Sequence, residues 1–338
     1  MQLNDVCRSL IRKLDVFLDG EDSVKCVNPH CQHTDNLCSE PAVLLHHGQS
    51  LRLAYQEKQI SEKRTTVHIG QRKLLMSEIG ALMGLERETE YLVVYAGAAP
   101  GNHIPYLADL FPHMTFHLYD PRPFSIRASD RIQLYNAYFT DATAEQYTIT
   151  DLPLVFISDI RRDIQGPTVW GDMLMQQDWH LIMKPVLTSL KFRLPWPNEK
   201  IISTQSRSTR LTAPYKVEYL AGDIHLPIWG RQSTTECRLV IHKARHEGKR
   251  TYDCLAYEEE MSYFNKKIRP CVHTAQKVRT GGLDACFDCA AEVALLRRYA
   301  EWNKEEPTDE YVSKMSAEIT SVLGRPLTAG VEDRTDQD

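Results

Sequence analysis

The stretch YLVVYAGAAPGNHIPYL, residues 91–107, decides the fold. Its first six residues are an unbroken apolar run, the pattern of a strand buried on both faces of a parallel sheet. Gly97 and Gly101 then bracket a turn, and the residues beyond it can open a helix. Strand, glycine turn and helix in that order begin an α/β crevice of the nucleotide-binding type. Taken alone, the stretch leaves the occupant of that crevice open.

Downstream, short apolar runs at 115–119, 131–135 and 154–158 alternate with helical stretches after the glycine turn, near 141–147 and at 168–183. This rhythm predicts a Rossmann-like α/β fold, a mostly parallel central sheet with helices on both faces. Runs at 186–193, 216–221 and 236–242 follow at denser spacing, which predicts antiparallel pairing at one edge. Upstream, GQRKLLMSEIGALMGL (70–85) carries an apolar stripe of Leu74, Leu75, Ile79, Leu82 and Met83, with Lys73 on or beside it. Leu3, Val6, Leu10, Ile11, Leu14 and Phe17 recur at helical spacing, and 252–265 and 288–323 also read as helical. The expected organisation is a helical and Cys/His-rich extension (1–66), a core (67–270), helical terminal additions (271–328) and a disordered tail (329–338).

Hydrophobic residues at 42% and charged residues at 25% of 338 are ordinary for a globular chain and leave ample material for a core. The formal charge of −5 offers no global basic surplus, so any nucleic-acid contact has to be local. Arg161 and Arg162, Arg207 and Arg210, and HKARHEGKR (242–250) are the basic clusters available. No run reaches the roughly 18 apolar residues that span a bilayer, and the first residues lack the apolar core of a signal peptide. Nine cysteines in such a chain read as reduced thiols, which points to the cytoplasm. Cys26, His30, Cys31, His33, Cys38, His46 and His47, with the CxxC pair Cys286 and Cys289, are zinc-ligand types. Their spacing is not that of a zinc site, and buried thiols account for such scatter, so no metal is assigned.

The crevice itself carries the chemistry. Asp120 ends the second core strand about 20 residues beyond the glycine turn, where an acid suits the ribose hydroxyls of an adenosine cofactor. A dinucleotide would need a pyrophosphate cradle of the GxGxxG kind, whereas this turn reads GAAPG. S-adenosylmethionine has no phosphate and needs only the shorter turn. Asp159 ends the strand LVFIS, Lys191 interrupts an apolar strand and Glu236 heads another. Together with Lys73 they form a set of alternating charges on separate elements. A lysine partly desolvated beside a second cation can lose its proton near neutral pH and act as a general base toward a ribose 2′-hydroxyl, with carboxylates tuning it.

GQRKLLMSEIGAL, VVYAGAAPGNHIPYL, FISDIRRD, TSLKFRLPWP, TECRLVI and YEEEMSYFN resemble, in order, segments of the poxvirus cap-specific mRNA 2′-O-methyltransferases, which double as regulatory subunits of the viral poly(A) polymerase. The resemblance covers roughly residues 55–270. It implies an S-adenosylmethionine-dependent methyltransferase fold and a Lys-Asp-Lys-Glu tetrad at Lys73, Asp159, Lys191 and Glu236, with Lys191 as base. It implies methyl-donor contacts from Gln71, Gly97, Gly101, His103, Asp120, Arg122 and Arg161, with Phe139 and Thr140 flanking the adenine. For the methylated guanine of the cap it implies Trp196 as one stacking ring, Glu258 as an edge-reading acid and Arg193 nearby. Asn198 stands where the family carries a second acid and Ser233 where it carries a tyrosine; Tyr55 is the candidate for the opposite ring. The expected function is methylation of the first transcribed nucleotide of capped viral mRNA. The alternatives are an RNA-binding processivity subunit of a poly(A) polymerase and a methyltransferase of uncapped RNA.

Overall fold

The computed structural model describes residue 41 and residues 43–55, 70–163, 166–202, 210–230, 234–269 and 287–323. The expected helix in the first 20 residues, Cys26 to Cys38 of the Cys/His group, Arg207, Ser233, Cys286 and the tail lie outside the described residues. In chain order the elements are β1 (Leu44–Leu45), α1 (Gly70–Leu82), β2 (Tyr91–Ala96), α2 (Ile104–Leu110), β3 (Met114–Tyr119), β4 (Ile132–Tyr135), α3 (Asp141–Gln146) and β5 (Leu154–Ser158). They continue with α4 (Gly166–Met183), β6 (Leu187–Phe192), β7 (Lys200–Ile202), β8 (Arg210–Thr212), β9 (Lys216–Leu220) and β10 (Asp223–His225). The last are β11 (Cys237–His242), β12 (Lys249–Asp253), α5 (Cys254–Tyr263), a π-helical turn (Phe264–Ile268), α6 (Phe287–Trp302) and α7 (Asp309–Leu323).

Eight strands form one sheet in the order β1-β10-β11-β6-β5-β2-β3-β4. From β6 to β4 every pairing is parallel, while β11, β10 and β1 add on antiparallel. Every residue of β2 and β5 is buried, as central strands covered on both faces require. The chain leaves β2 toward β3 and β4, then returns to β5 on the other side of β2. That reversal opens a crevice beyond the carboxyl ends of β2 and β5, where ligands bind in open α/β sheets.

The expected strands and the antiparallel edge are present; the short β7, β8 and β10 are additions to them, and there are four further differences. β9 does not join the main sheet; it pairs with β12 in a separate two-stranded ribbon, register Lys216↔Asp253 to Leu220↔Lys249. The start of the stretch read as helix at 252–265 is therefore strand, and Asp253 caps α5 by accepting from the Ala256 N–H. The helical stretch 288–323 breaks into α6 and α7 around Lys304, whose φ is +61°, and Pro307, which cannot continue a helix. Finally, β1 supplies a sheet strand from residues expected in the N-terminal extension.

Candidate active site

The glycine turn follows β2 at the reversal point. Gly97 has φ +82° and a Cβ there would lie 2.9 Å from the Ile160 nitrogen, so both the backbone conformation and the approach of the β5 end exclude a side chain. Gly101 has φ +78°. Asp159 follows β5 directly, and its N–H donates to the Ala96 carbonyl at 2.9 Å, which brings the ends of the two strands together.

Beside the turn lie the four charged residues, brought together from α1, β6 and the ends next to β5 and β11. Lys73 Nζ is 3.1 Å from Glu236 Oε1. Lys191 Nζ lies 3.4 Å from Asp159 Oδ1 and 3.6 Å from Glu236 Oε1. Positive and negative groups thus alternate along one chain of contacts, Lys73–Glu236–Lys191–Asp159. Burial of Lys191, whose side chain is 11% exposed, is the largest influence on its pKa and, aided by Lys73 and Arg238, holds it below the usual lysine value against Asp159 and Glu236. Burial disfavours the charged forms of Asp159 and Glu236, but the surrounding cations outweigh it and hold both carboxyls below their ordinary values. Both acids are therefore ionised at neutral pH.

Two arginines complete the cluster. Arg161, expected at the methyl donor, ion-pairs with Glu236 at 3.5 Å and reaches Asp172 at 4.0 Å. Arg238 is a residue that the sequence reading missed. It lies opposite Lys191 in the β11–β6 register, donates to the Ser158 carbonyl at 2.7 Å and pairs with Asp159. Its signal was an arginine inside the apolar run CRLVI, two residues after Glu236.

The remaining donor-side residues separate into those that line the crevice and those that support it. Asp120 is 3% exposed and accepts from the Ala99 N–H at 3.1 Å and from the Arg122 N–H, Nε and Nη2 at 2.9, 3.1 and 3.0 Å. Arg122 itself is 67% exposed. His103 is sealed from solvent, with Nδ1 2.8 Å from Gln71 Oε1 and Nε2 2.9 Å from Glu78 Oε2. Both ring nitrogens are engaged, which ties the His103 ring to Gln71 and Glu78. Phe139 is buried among Tyr119, Phe156 and Trp179. Thr140 is exposed and caps α3, accepting from the Thr143 N–H at 3.2 Å.

A second group sits past β6. Tyr55 and Trp196 face each other with ring centroids 5.4 Å apart and planes tilted by 53°. Arg193 lies over Trp196 at 5.4 Å and forks onto Glu199 at 2.8 Å to each oxygen. Glu199, which the sequence reading also passed over, accepts from the Trp196 N–H at 3.0 Å. Asn198 is exposed with φ +65°. Burial, followed by Glu259 and Glu199, raises the Glu258 carboxyl above its ordinary value.

The basic stretch 242–250 does not join the site. β11 runs antiparallel to β6, so His242 pairs with Leu187 at the far end of the sheet. His47 is hydrogen-bonded to Glu260 at 2.8 Å and to the Asp253 N–H at 3.1 Å. Among the described residues no cluster of His, Cys, Asp and Glu has the arrangement of a metal site, and Cys289 is buried. No helix among the described residues is long and apolar enough to cross a membrane.

A family model described as the poly(A) polymerase regulatory subunit matches residues 40–292, which include β1, the whole sheet and every residue of the charged cluster. The chain belongs to that family. It is 30% identical over 236 residues to the cap-specific mRNA (nucleoside-2′-O-)-methyltransferase of Myxoma virus strain Lausanne, covering 64% of this chain and 67% of the relative. The corresponding enzyme of Fowlpox virus strain NVSL is 27% identical over 223 residues, 60% of this chain and 68% of the relative. Among solved structures, bluetongue virus VP4, described as a multifunctional RNA-capping production line, overlaps 68% of this chain with a TM-score of 0.44 and 10% identity, and this chain spans 37% of it.

Proposed function

We propose that this chain is an S-adenosylmethionine-dependent methyltransferase that acts on the ribose 2′-hydroxyl of the first transcribed nucleotide of capped viral mRNA. The observation that carries the reading is the chain of contacts Lys73–Glu236–Lys191–Asp159 at the mouth of the crevice. The methyltransferase names of the viral relatives support the same reaction.

The residues at the crevice fit the donor. Two acids, Asp120 and Asp159, face a turn whose glycines leave room for close approach, which suits a ligand carrying sulfonium and ammonium charges rather than a pyrophosphate. Gln71, Gly97, Gly101, Asp120, Arg122 and Arg161 would hold it, with Phe139 and Thr140 at the adenine end. When bound, S-adenosylmethionine supplies an electrophilic methyl group. The protein's part is proton removal and orientation. Lys191 Nζ accepts the 2′-hydroxyl proton, because its burial makes the neutral amine accessible closer to physiological pH. Asp159 and Glu236 orient the amine, and Lys73, held by Glu236, keeps positive charge beside it.

Selection of the cap rests on Trp196, Tyr55, Glu258 and Arg193. A base between two rings needs them roughly 7 Å apart, twice a van der Waals stacking distance, so the 5.4 Å pair has to open and turn parallel to admit it. The positive charge of 7-methylguanine strengthens that stacking. The test is transfer of labelled methyl to RNAs bearing a methylated cap, an unmethylated cap or none, with free cap analogue as competitor. We expect transfer to the first RNA alone and inhibition by the analogue; equal transfer to uncapped RNA would instead assign an uncapped substrate.

The family description favours a second role that can coexist with the first, as an RNA-binding regulatory subunit of a poly(A) polymerase. Co-purification with a polymerase subunit and a change in tail length would support it; a chain that never alters tail length would refute it. The buried thiols Cys237, Cys254 and Cys289 fit a reducing, cytoplasmic location.

A further inference from the structure

We propose that Glu292 is a positioning residue that holds Lys73 and Glu236 in register with each other from the C-terminal helix α6. The inference rests on the proposed methyl-transfer reading and concerns residues outside the charged cluster itself.

Arg72 precedes Lys73 on α1 and is sealed from solvent, as is Glu292. The two form a forked pair, Nε to Oε2 at 2.7 Å and Nη2 to Oε1 at 2.5 Å. Glu292 Oε1 also accepts from the Ser316 hydroxyl of α7 at 2.7 Å, and Oε2 from the indole N–H of Trp229 at 2.7 Å. The same carboxylate therefore grips α1 beside Lys73 and the segment that leads from β10 to Glu236.

The described parts of that segment on either side of 231–233 are each anchored. The Trp229 N–H donates to Asp288 of α6 at 2.8 Å, and Arg269 ties the Gly230 carbonyl to Asp288, both at 2.8 Å. Near Glu236, Asn265 donates to the Thr234 carbonyl at 2.8 Å and the Tyr257 hydroxyl to the Thr235 carbonyl at 2.5 Å. Trp229 has φ +62°, a costly conformation for a bulky residue, which persists where surrounding contacts over-determine it. A buried ion pair is weak evidence for stability, since a well-packed apolar cluster often serves as well; its best-attested use is to fix register. Here the register it fixes is the 3.1 Å contact of Lys73 with Glu236.

The test uses the full chain with Trp229→Phe, which removes the indole N–H together with part of the buried ring, and Glu292→Gln, which removes the charge. For Trp229→Phe we expect kcat about tenfold lower, within the roughly hundredfold that an ångström of misplacement costs, with KM for donor and capped RNA within about twofold of wild type. Once Lys73 no longer neutralises Glu236, the freed carboxylate favours the Lys191 ammonium, so the rising limb of the pH–rate profile moves to higher pH. Unchanged kcat and pH profile, or a loss confined to melting temperature or KM, would overturn the proposal. Should Glu292→Gln fail to fold, Trp229→Phe decides. A wild type that transfers no methyl would overturn the methyl-transfer reading, and the side-chain ¹⁵N resonance of Lys73 then decides the positioning claim: displaced by Trp229→Phe if the claim holds, unmoved if it is wrong.

Discussion

Replacing Glu236 by Gln should make the enzyme slower yet active at lower pH. Glu236 Oε1 lies 3.6 Å from Lys191 Nζ, where a pair of unit charges interacts by about 5 kcal/mol at an effective dielectric near 20. Charges act pairwise, so the substitution removes this interaction in full, whatever else Glu236 pairs with. Even screened as in bulk water it is about 1 kcal/mol, nearly one pKa unit, which sets the lower end of the expected shift. The sign follows from the charge. Removing an anion destabilises the Lys191 ammonium, lowers its pKa further and moves the rising limb of the pH–rate profile down by about one unit or more. Lys73→Met removes a cation and should move the same limb up. The assay is single-turnover methyl transfer to capped RNA at saturating donor, from about pH 6 to pH 10, a range that brackets the limb of a lysine base. Two variants shifting in the same direction, or neither shifting, would refute Lys191 as the titrating base.

Three further outcomes follow from the geometry. Gly97→Ala should lower stability by at least about 1–2 kcal/mol, the cost of a left-handed backbone for a residue with a side chain, and abolish donor binding, because its Cβ would meet the Ile160 nitrogen at 2.9 Å; thermal melting and calorimetric titration with S-adenosylmethionine measure both. Trp196→Ala should weaken cap-analogue binding by about 1–3 kcal/mol, the range for a base–aromatic stack, without affecting the donor, and cap analogue should quench tryptophan fluorescence in the wild type but less in the variant. Asp159 and Glu236 have pKa values below their unfolded values, so the stability they contribute is present above about pH 4 and is lost as pH falls toward their folded values. Acid unfolding of Asp159→Asn should accordingly show a shallower decline below about pH 4 than the wild type; an identical slope would contradict the ionised pairing.

The central strands and the glycine turn were legible because β2 and β5 are buried along their whole length and leave uninterrupted apolar runs. Asp159, Lys191 and Glu236 were conspicuous as interruptions or ends of apolar strand runs, and Lys73 as a charge on or beside the apolar stripe of α1. What the sequence could not show was pairing. β9 reads like any half-buried strand, and only tertiary packing sends it to β12 rather than into the sheet. Short strands such as β7, β8 and β10 leave too few residues for a periodic signal. Arg72, Arg238 and Glu292 are charged residues whose burial depends on partners far along the chain, Arg72 and Glu292 being separated by 220 positions. Their residue types predict exposure, so the contacts that order the site from behind were invisible until the chain was folded. His103 shows the reverse case: it stands in the expected place, but its ring is turned to Gln71 and Glu78.

The most direct test of the central claim is the position of the transferred methyl group in the product made by wild type and by Lys191→Ala. Nuclease digestion and mass spectrometry of m7G-capped RNA should show a single 2′-O-methyl on the first transcribed nucleotide with wild type. With Lys191→Ala the product should fall roughly 10²–10⁴-fold, the span of general-base catalysis, while donor and cap analogue still bind. Methyl on a base or at internal nucleotides, or an undiminished rate in Lys191→Ala, would contradict the account.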